Sequence, residues 1–213
     1  MQQFFIQGES GVIETVVDTP KENLHPTITA VICHPHPLFQ GTMNNKVITT
    51  IAKAFNNLGI EAVRFNYRGV GQSQGEYADG IGELKDTLSV INNVLEKKPN
   101  QQIILAGFSF GGSVAYKAAA HCENSINSLL TIAPAVVNFP LEEQPEPKMP
   151  WCLIQGIDDE VVSYTAVSEF FIQKTTVDAT FIRLNHVGHF FHGQLVKLRK
   201  HLEQHYQSEI KSW

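Results

Sequence analysis

The residues able to do chemistry in this chain lie in a few short segments. Ala106-Gly107-Phe108-Ser109-Phe110-Gly111-Gly112 places a serine two positions after one glycine and two before another. An apolar run precedes it and a small-residue, helix-forming run follows. Gly-x-Ser-x-Gly in that setting suits a nucleophile on a tight strand-to-helix turn. The turn pushes the hydroxyl outward, and side chains at the flanking positions would collide with neighbouring backbone. The start of the helix aims unpaired N–H groups at the group under attack. No Gly-Lys-Ser/Thr follows, so the segment does not read as a phosphate-binding P-loop. The chemistry it suggests is acyl transfer through a covalent serine intermediate.

A serine hydroxyl is inert without a general base. Around such a turn the chain order is serine, then carboxylate, then histidine. Gly156-Ile157-Asp158-Asp159-Glu160 follows the apolar run 151–155, and His186-Val187-Gly188-His189 follows the run 180–184, with His192 three residues on. Asp158, Asp159 and Glu160 are candidate acids; His186, His189 and His192 are candidate bases.

These segments need strands and helices to hold them. Residues 3–6 and 12–17 read as edge strands about Gly8 and Gly11. Strands are predicted at 29–33, 60–66, 102–106, 128–132, 151–155 and 180–184, and helices at 46–58, 81–97, 110–121, 163–173 and 193–207. Helix 81–97 shows Ile81, Leu84, Leu88, Ile91 and Leu95 at helical spacing. Short apolar strands alternating with amphipathic helices imply a mostly parallel central β-sheet covered by helices on both faces, an α/β fold. In such sheets ligands bind beyond the carboxyl ends of the strands, where all three segments fall. Residues 67–80, rich in glycine, read as a bent structural loop: Gly69, Gly71 and Gly75 miss the dinucleotide spacing. Arg64 and Arg68 either bind an acidic substrate group or anchor that loop to carboxylates such as Glu83 or Asp86. The stretch 138–150, with Pro140, Pro145, Pro147 and Pro150, reads as a surface loop.

The 213 residues fit one domain, 1–213. Lys+Arg number 16 against 21 Asp+Glu, a net charge of −5, which argues against a nucleic-acid surface or docking on anionic lipid. No apolar stretch approaches the roughly 18 residues of a membrane span. The first ten residues lack the features of a signal peptide. Cys33, Cys122 and Cys152 are scattered and odd in number, as expected of reduced thiols in the cytoplasm. His34 and His36 with the three later histidines suggest a zinc set. That reading leaves the serine turn unexplained, so neither metal nor cofactor is expected.

Five segments together carry a family resemblance: His34-Pro35-His36-Pro37; Arg64-Phe65-Asn66-Tyr67-Arg68-Gly69-Val70-Gly71; the serine turn; the 156–162 segment; and Gly188-His189-Phe190-Phe191. The chain resembles a compact member of the α/β-hydrolase superfamily. It is similar to small bacterial hydrolases of the His-Pro-His-Pro type and distantly like dienelactone hydrolases, over nearly the whole chain. The resemblance implies a cofactor-free serine hydrolase acting on small esters or thioesters. The family's Gly-x-x-Asp segment selects Asp159 over Asp158 as the acid, and its Gly-His segment selects His189 as the base, with Ser109 as nucleophile. His186 then packs at a strand end and His192 lies near a helix start.

Phe110 supplies one oxyanion N–H, as the residue after the nucleophile. The second comes from the loop after 29–33, where Pro35 and Pro37 have none to give. Analogy with the usual His-Gly-x segment favours His36, with Leu38 next. About 16 residues, 134–149, separate two strands where many relatives insert a cap. No large cap domain is therefore expected, and the substrate groove is open and edged by Phe39, Phe139 and Phe190. A small-molecule ester or thioester is the expected partner, and the protein a monomer or homodimer. Two other readings are a peptidase built on the same triad and a catalytically idle binding protein on the same fold.

Overall fold

The structure, a computed structural model, describes residues 2–122, 125–139, 141, 143–174 and 178–212. Eight strands form one sheet: β1 (Gln2–Gly8), β2 (Gly11–Asp18), β3 (Ile28–Cys33), β4 (Glu61–Phe65), β5 (Gln102–Phe108), β6 (Ile126–Ile132), β7 (Trp151–Gly156) and β8 (Ala179–Leu184). Their spatial order is β1-β2-β4-β3-β5-β6-β7-β8. The β1–β2 hairpin and the β2–β4 pair are antiparallel; every pairing from β4 to β8 is parallel.

Alternation along the buried strands sends side chains to two cores. Val31 and Cys33, with Leu105, Leu129 and Leu153, meet helices α2 (Ile81–Lys97), α3 (Phe110–His121) and α4 (Tyr164–Lys174) on one face. Ala30 and Ile32, with Ile104, Leu130 and Ile154, meet α1 (Lys46–Asn57) and α5 (Leu195–Glu209) on the other. The expected two-sided, mostly parallel sheet is the observed one.

From β3 the chain moves outward to β4 and then returns past β3 to β5, so the strand order reverses between β3 and β5. Loops leaving these two strands diverge, and the crevice between them is where such sheets bind ligands. Ser109 follows β5 and the His34–Pro37 loop follows β3.

Element boundaries differ from the expected ones for local reasons. β5 runs to Phe108 because Phe108 still pairs with Ile132 in the parallel ladder. α4 starts one residue late because Ser163 lies outside it, its Oγ accepting the N–H of Ala166. α5 begins at Leu195 rather than 193 because Gly193, at φ 68°, is left-handed and cannot continue a helix. Of the predicted stripe of α2, Leu84, Leu88, Ile91 and Leu95 pack on the core, and Ile81 is the exception. Ile81 is 68% exposed, whereas Glu83, Asp86, Thr87, Val90 and Ile91 are buried. The inward face carries polar groups because they hold the preceding loop.

Between β6 and β7 the described residues form turns and irregular chain, with no helix; Pro140 lies outside the described residues. No cap covers the carboxyl edge there. Among the described residues no helix is long and apolar enough to cross a membrane.

Candidate active site

Ser109 occupies the corner between β5 and α3 with φ 56° and ψ −122°, a conformation that costs a non-glycine residue about 1–3 kcal/mol. The surroundings enforce it. The Ser109 N–H donates to the Ile132 carbonyl (2.8 Å), and its own carbonyl accepts from Gly112, Ser113 and Ala135. Side chains cannot be added beside it: a Cβ on Gly107 would overlap the Gly111 carbonyl, and one on Gly111 the carbonyls of Cys33 and His34. The close approach of α3 to the end of β3 therefore rests on those glycines.

The structure brings Ser109, His189 and Asp159 into one line. His189 Nε2 lies 3.0 Å from Ser109 Oγ, and His189 Nδ1 lies 2.9 Å from Asp159 Oδ2. An ionised carboxylate only accepts, so Nδ1 carries the imidazole proton and Nε2 is free to accept the serine hydroxyl. Both the imidazole and the carboxylate are buried. Asp159 Oδ1 accepts the N–H groups of Val161 (2.9 Å) and Val162 (2.7 Å), and Oδ2 also accepts Gln155 Nε2 (2.9 Å). Burial alone would raise the Asp159 carboxyl; the hydrogen bonds from His189, Val162 and Val161 outweigh it and hold the carboxyl below its usual range.

The rival residues lie elsewhere. Asp158 and His186 are exposed and face each other at 3.5 Å. His192 is exposed, ahead of α5. Glu160 is not the acid of the line, but its Oε2 accepts the backbone N–H of His189 (3.1 Å). Gln155 is a functional residue that the sequence reading missed. Its signal is a polar residue closing an apolar strand run, since a buried amide must find partners; it donates to Asp159 and to the Val162 carbonyl.

Around the nucleophile, the N–H groups of Phe110 and His36 donate to no backbone carbonyl among the described residues. That of Leu38 is taken by His36 Nδ1 (3.2 Å). His36 Nε2 therefore carries the proton, and it donates to Tyr77 Oη (3.1 Å). Burial lowers the His36 imidazole, with partial opposition from Asp79.

His34 is fully buried. Its Nδ1–H donates to the Pro35 carbonyl (2.6 Å), and its Nε2 accepts the Tyr67 N–H (3.1 Å). Burial pushes its pKa down to about 3, so it is neutral and structural. The arginines are anchors. Arg68 pairs with Asp86 (2.8 Å), while Glu83 instead binds the Gly80 and Ala78 N–H groups; Arg64 pairs with Asp18 and donates to the Met43 carbonyl. Neither is left to meet an acidic substrate. Among the described residues no three His, Cys, Asp or Glu side chains are placed to share a metal. The expected groove residues divide. Phe39 and Phe139 stand on the His36 side, their rings 4.9 and 5.4 Å from the imidazole, and Phe190 stands 5.1 Å from the His189 ring.

Comparison with known proteins bears on the family and the fold. The family model described as serine aminopeptidase, S33, matches residues 42–141. A solved α-β serine hydrolase homologue from Coxiella burnetii is 41% identical, covers 96% of each chain and superposes with a TM-score of 0.91. A lidless a/b serine hydrolase from Xanthomonas campestris is 36% identical over 95% of this chain and 92% of its own, with a TM-score of 0.89. The mitochondrial palmitoyl-protein thioesterase of Rattus norvegicus is 31% identical over 149 residues, 65% of this chain and 48% of that protein. With its bare carboxyl edge and its serine on the turn after β5, the chain belongs to the α/β serine hydrolase family.

Proposed function

We propose that this hydrolase cleaves small carboxylic esters or thioesters through an acyl-enzyme on Ser109, with His189 as general base and Asp159 as its orienting acid. The observation that carries the reading is the unbroken hydrogen-bonded line from Ser109 Oγ through the imidazole to the buried carboxylate. His189 Nε2 takes the hydroxyl proton as Oγ bonds to the carbonyl carbon. The oxyanion is held by the N–H groups of Phe110 and His36. Collapse breaks the bond to the leaving alcohol or thiol, which departs with the proton from the imidazolium. Water, deprotonated by His189, then releases the acid and restores the hydroxyl. Asp159 stays ionised throughout and steadies the imidazolium.

The thioester option is supported by the likeness to the rat thioesterase, and the carboxyl edge without a cap favours small substrates. Peptide hydrolysis is a second reading, favoured by the description of the matching family model. Three free thiols, two of them buried, support a reducing, cytoplasmic setting. The test is a fluorophosphonate probe with mass mapping of the labelled peptide, beside panels of esters, thioesters and aminoacyl anilides. Labelling of Ser109, abolished in Ser109→Ala and His189→Ala, with turnover of esters or thioesters, is the expected result. An unlabelled, inactive wild-type protein would overturn the assignment, and turnover of anilides alone would favour the peptidase.

A further inference from the structure

One side of the Ser109 crevice is faced by a graded wall of rings. Phe110, next to the nucleophile, is buried; its ring lies 4.8 Å from that of His36 and 4.6 Å from that of Phe139, edge to face. His36 in turn meets Tyr77 and Phe39, each at 4.9 Å. His36, Tyr77 and Phe139 are half-buried, and Phe39, the outermost, is 81% exposed. The wall therefore begins at the reacting residue and ends in solvent. Exposed Leu38 and Val137 lie on the loops after β3 and β6, and exposed Ile81 opens α2 where the loop after β4 ends. Single exposed apolar residues need no explanation; several gathered at one edge of a crevice mark a binding surface.

We propose that this wall receives the acyl part of the substrate and selects a flat aryl or arylalkyl group over an alkyl chain. The inference rests on the hydrolase reading above. The leaving group must depart toward His189, which protonates it, and Phe190 flanks that side. The wall lies on the other side, against Phe110 and His36, whose N–H groups hold the carbonyl oxygen. The substituent that reaches it is the acyl one. Rings prefer offset or edge-to-face neighbours with centroids about 4.5–7 Å apart, the spacing these rings already keep among themselves. A planar acyl group extends the stack; an alkyl chain gains contact area only. Arg68, the cation of the loop after β4, is tied to Asp86 and Glu9 and is not free to meet an acidic acyl group.

The test uses p-nitrophenyl esters of acetate, hexanoate and 3-phenylpropanoate, which share one leaving group. In the wild type, kcat/KM for phenylpropanoate should exceed that for hexanoate about fivefold, the size of a ring–ring contact. Phe39→Ala, at a surface position that folding does not need, and Phe139→Leu should bring that ratio toward one. Ile172→Ala, on α4 away from this edge, should preserve it. A wild-type ratio of one or below, or a ratio unmoved in both wall variants, overturns the proposal. Acetate hydrolysis and fluorophosphonate labelling of Ser109 report separately on the hydrolase reading. If both are present while the acyl ratio is flat, the acyl assignment alone falls; if both are absent, the hydrolase reading falls and takes the assignment with it.

Discussion

Substituting His34 with glutamine is expected to flatten the loss of stability that the protein shows on mild acidification. An exposed histidine titrates near 6.5, whereas His34 holds out to about 3, chiefly because its site is dry; the Pro35 carbonyl that accepts from it opposes the shift only in part. Between these two values the unfolded chain binds a proton that the folded chain refuses, so the folded state loses stability as pH falls through that window. Integration over one such group gives about 2 kcal/mol lost by pH 5 and about 3 kcal/mol by pH 4. Asp159 does not confuse a measurement at pH 5. Its lowered carboxyl contributes stability that is full above the ordinary carboxylate range and is lost only below it. In His34→Gln the side-chain amide can still donate toward the Pro35 carbonyl, though it fits less well, so slopes are compared and not absolute stabilities. Urea unfolding followed by circular dichroism at pH 7 and pH 5 gives the two differences. The wild type should lose about 2 kcal/mol more than the variant over that interval. Equal losses would refute a neutral, buried His34 as the post between the Pro35 carbonyl and the Tyr67 N–H.

Further predictions concern the turn and the triad. Ser109→Gly should be more stable than Ser109→Ala by about 1 kcal/mol in thermal unfolding, because glycine accepts the φ 56°, ψ −122° corner, while both lose fluorophosphonate labelling. Asp159→Asn should lower kcat on the order of 10⁴-fold with the fold intact, measured on any ester the wild type turns over: the single amide oxygen cannot serve both the Val161 and Val162 N–H groups at one end and His189 at the other, and an NH2 turned toward the ring imposes the wrong imidazole tautomer. Gly111→Ala should cost several kcal/mol, roughly the scale of a severe core clash, because the carbonyls it meets are backbone and cannot step aside; loss of soluble folded protein or a sharply lower melting point checks it.

The sheet and the loops that carry chemistry were readable because two signals coincide in them. Strands such as Ile28–Cys33 and Trp151–Gly156 are buried along their whole length, which makes them continuous apolar runs. The serine turn announces itself through its glycines, whose absent side chains are demanded by backbone a few ångströms away. Ser109 and Asp159 follow the buried strands β5 and β7, His189 follows the partly exposed β8, and the structure gathers them. Prolines narrow the second oxyanion donor to few residues without choosing between His36 and Leu38. What separates those two is a hydrogen bond from the Leu38 N–H to a side chain two residues back, which depends on a rotamer and not on spacing.

The residues that stayed hidden are polar groups serving other polar groups, and the physics explains why. Periodicity registers transfer of apolar area out of water, so it recovered most of α1 and α5 and all of the α2 stripe but Ile81, while leaving the buried polar residues of α2 unmarked. There the inward face spends Glu83 on the N–H groups of Ala78 and Gly80, and Asp86 on Arg68. A buried carboxylate is tolerable only when such donors surround it, and donors brought from a separate loop leave no mark on the helix's own pattern. Ile81 is correspondingly freed from the core and stands exposed at the edge of the Ser109 crevice. One layer out from His189, buried Gln155 and exposed Glu160 likewise serve other polar groups. The first fixes a carboxylate oxygen; the second fixes the backbone that carries the ring. Loss of either should therefore disturb the Ser109–His189 alignment before it disturbs the fold, a distinction that hydrolysis rates and melting curves taken on the same variants would draw.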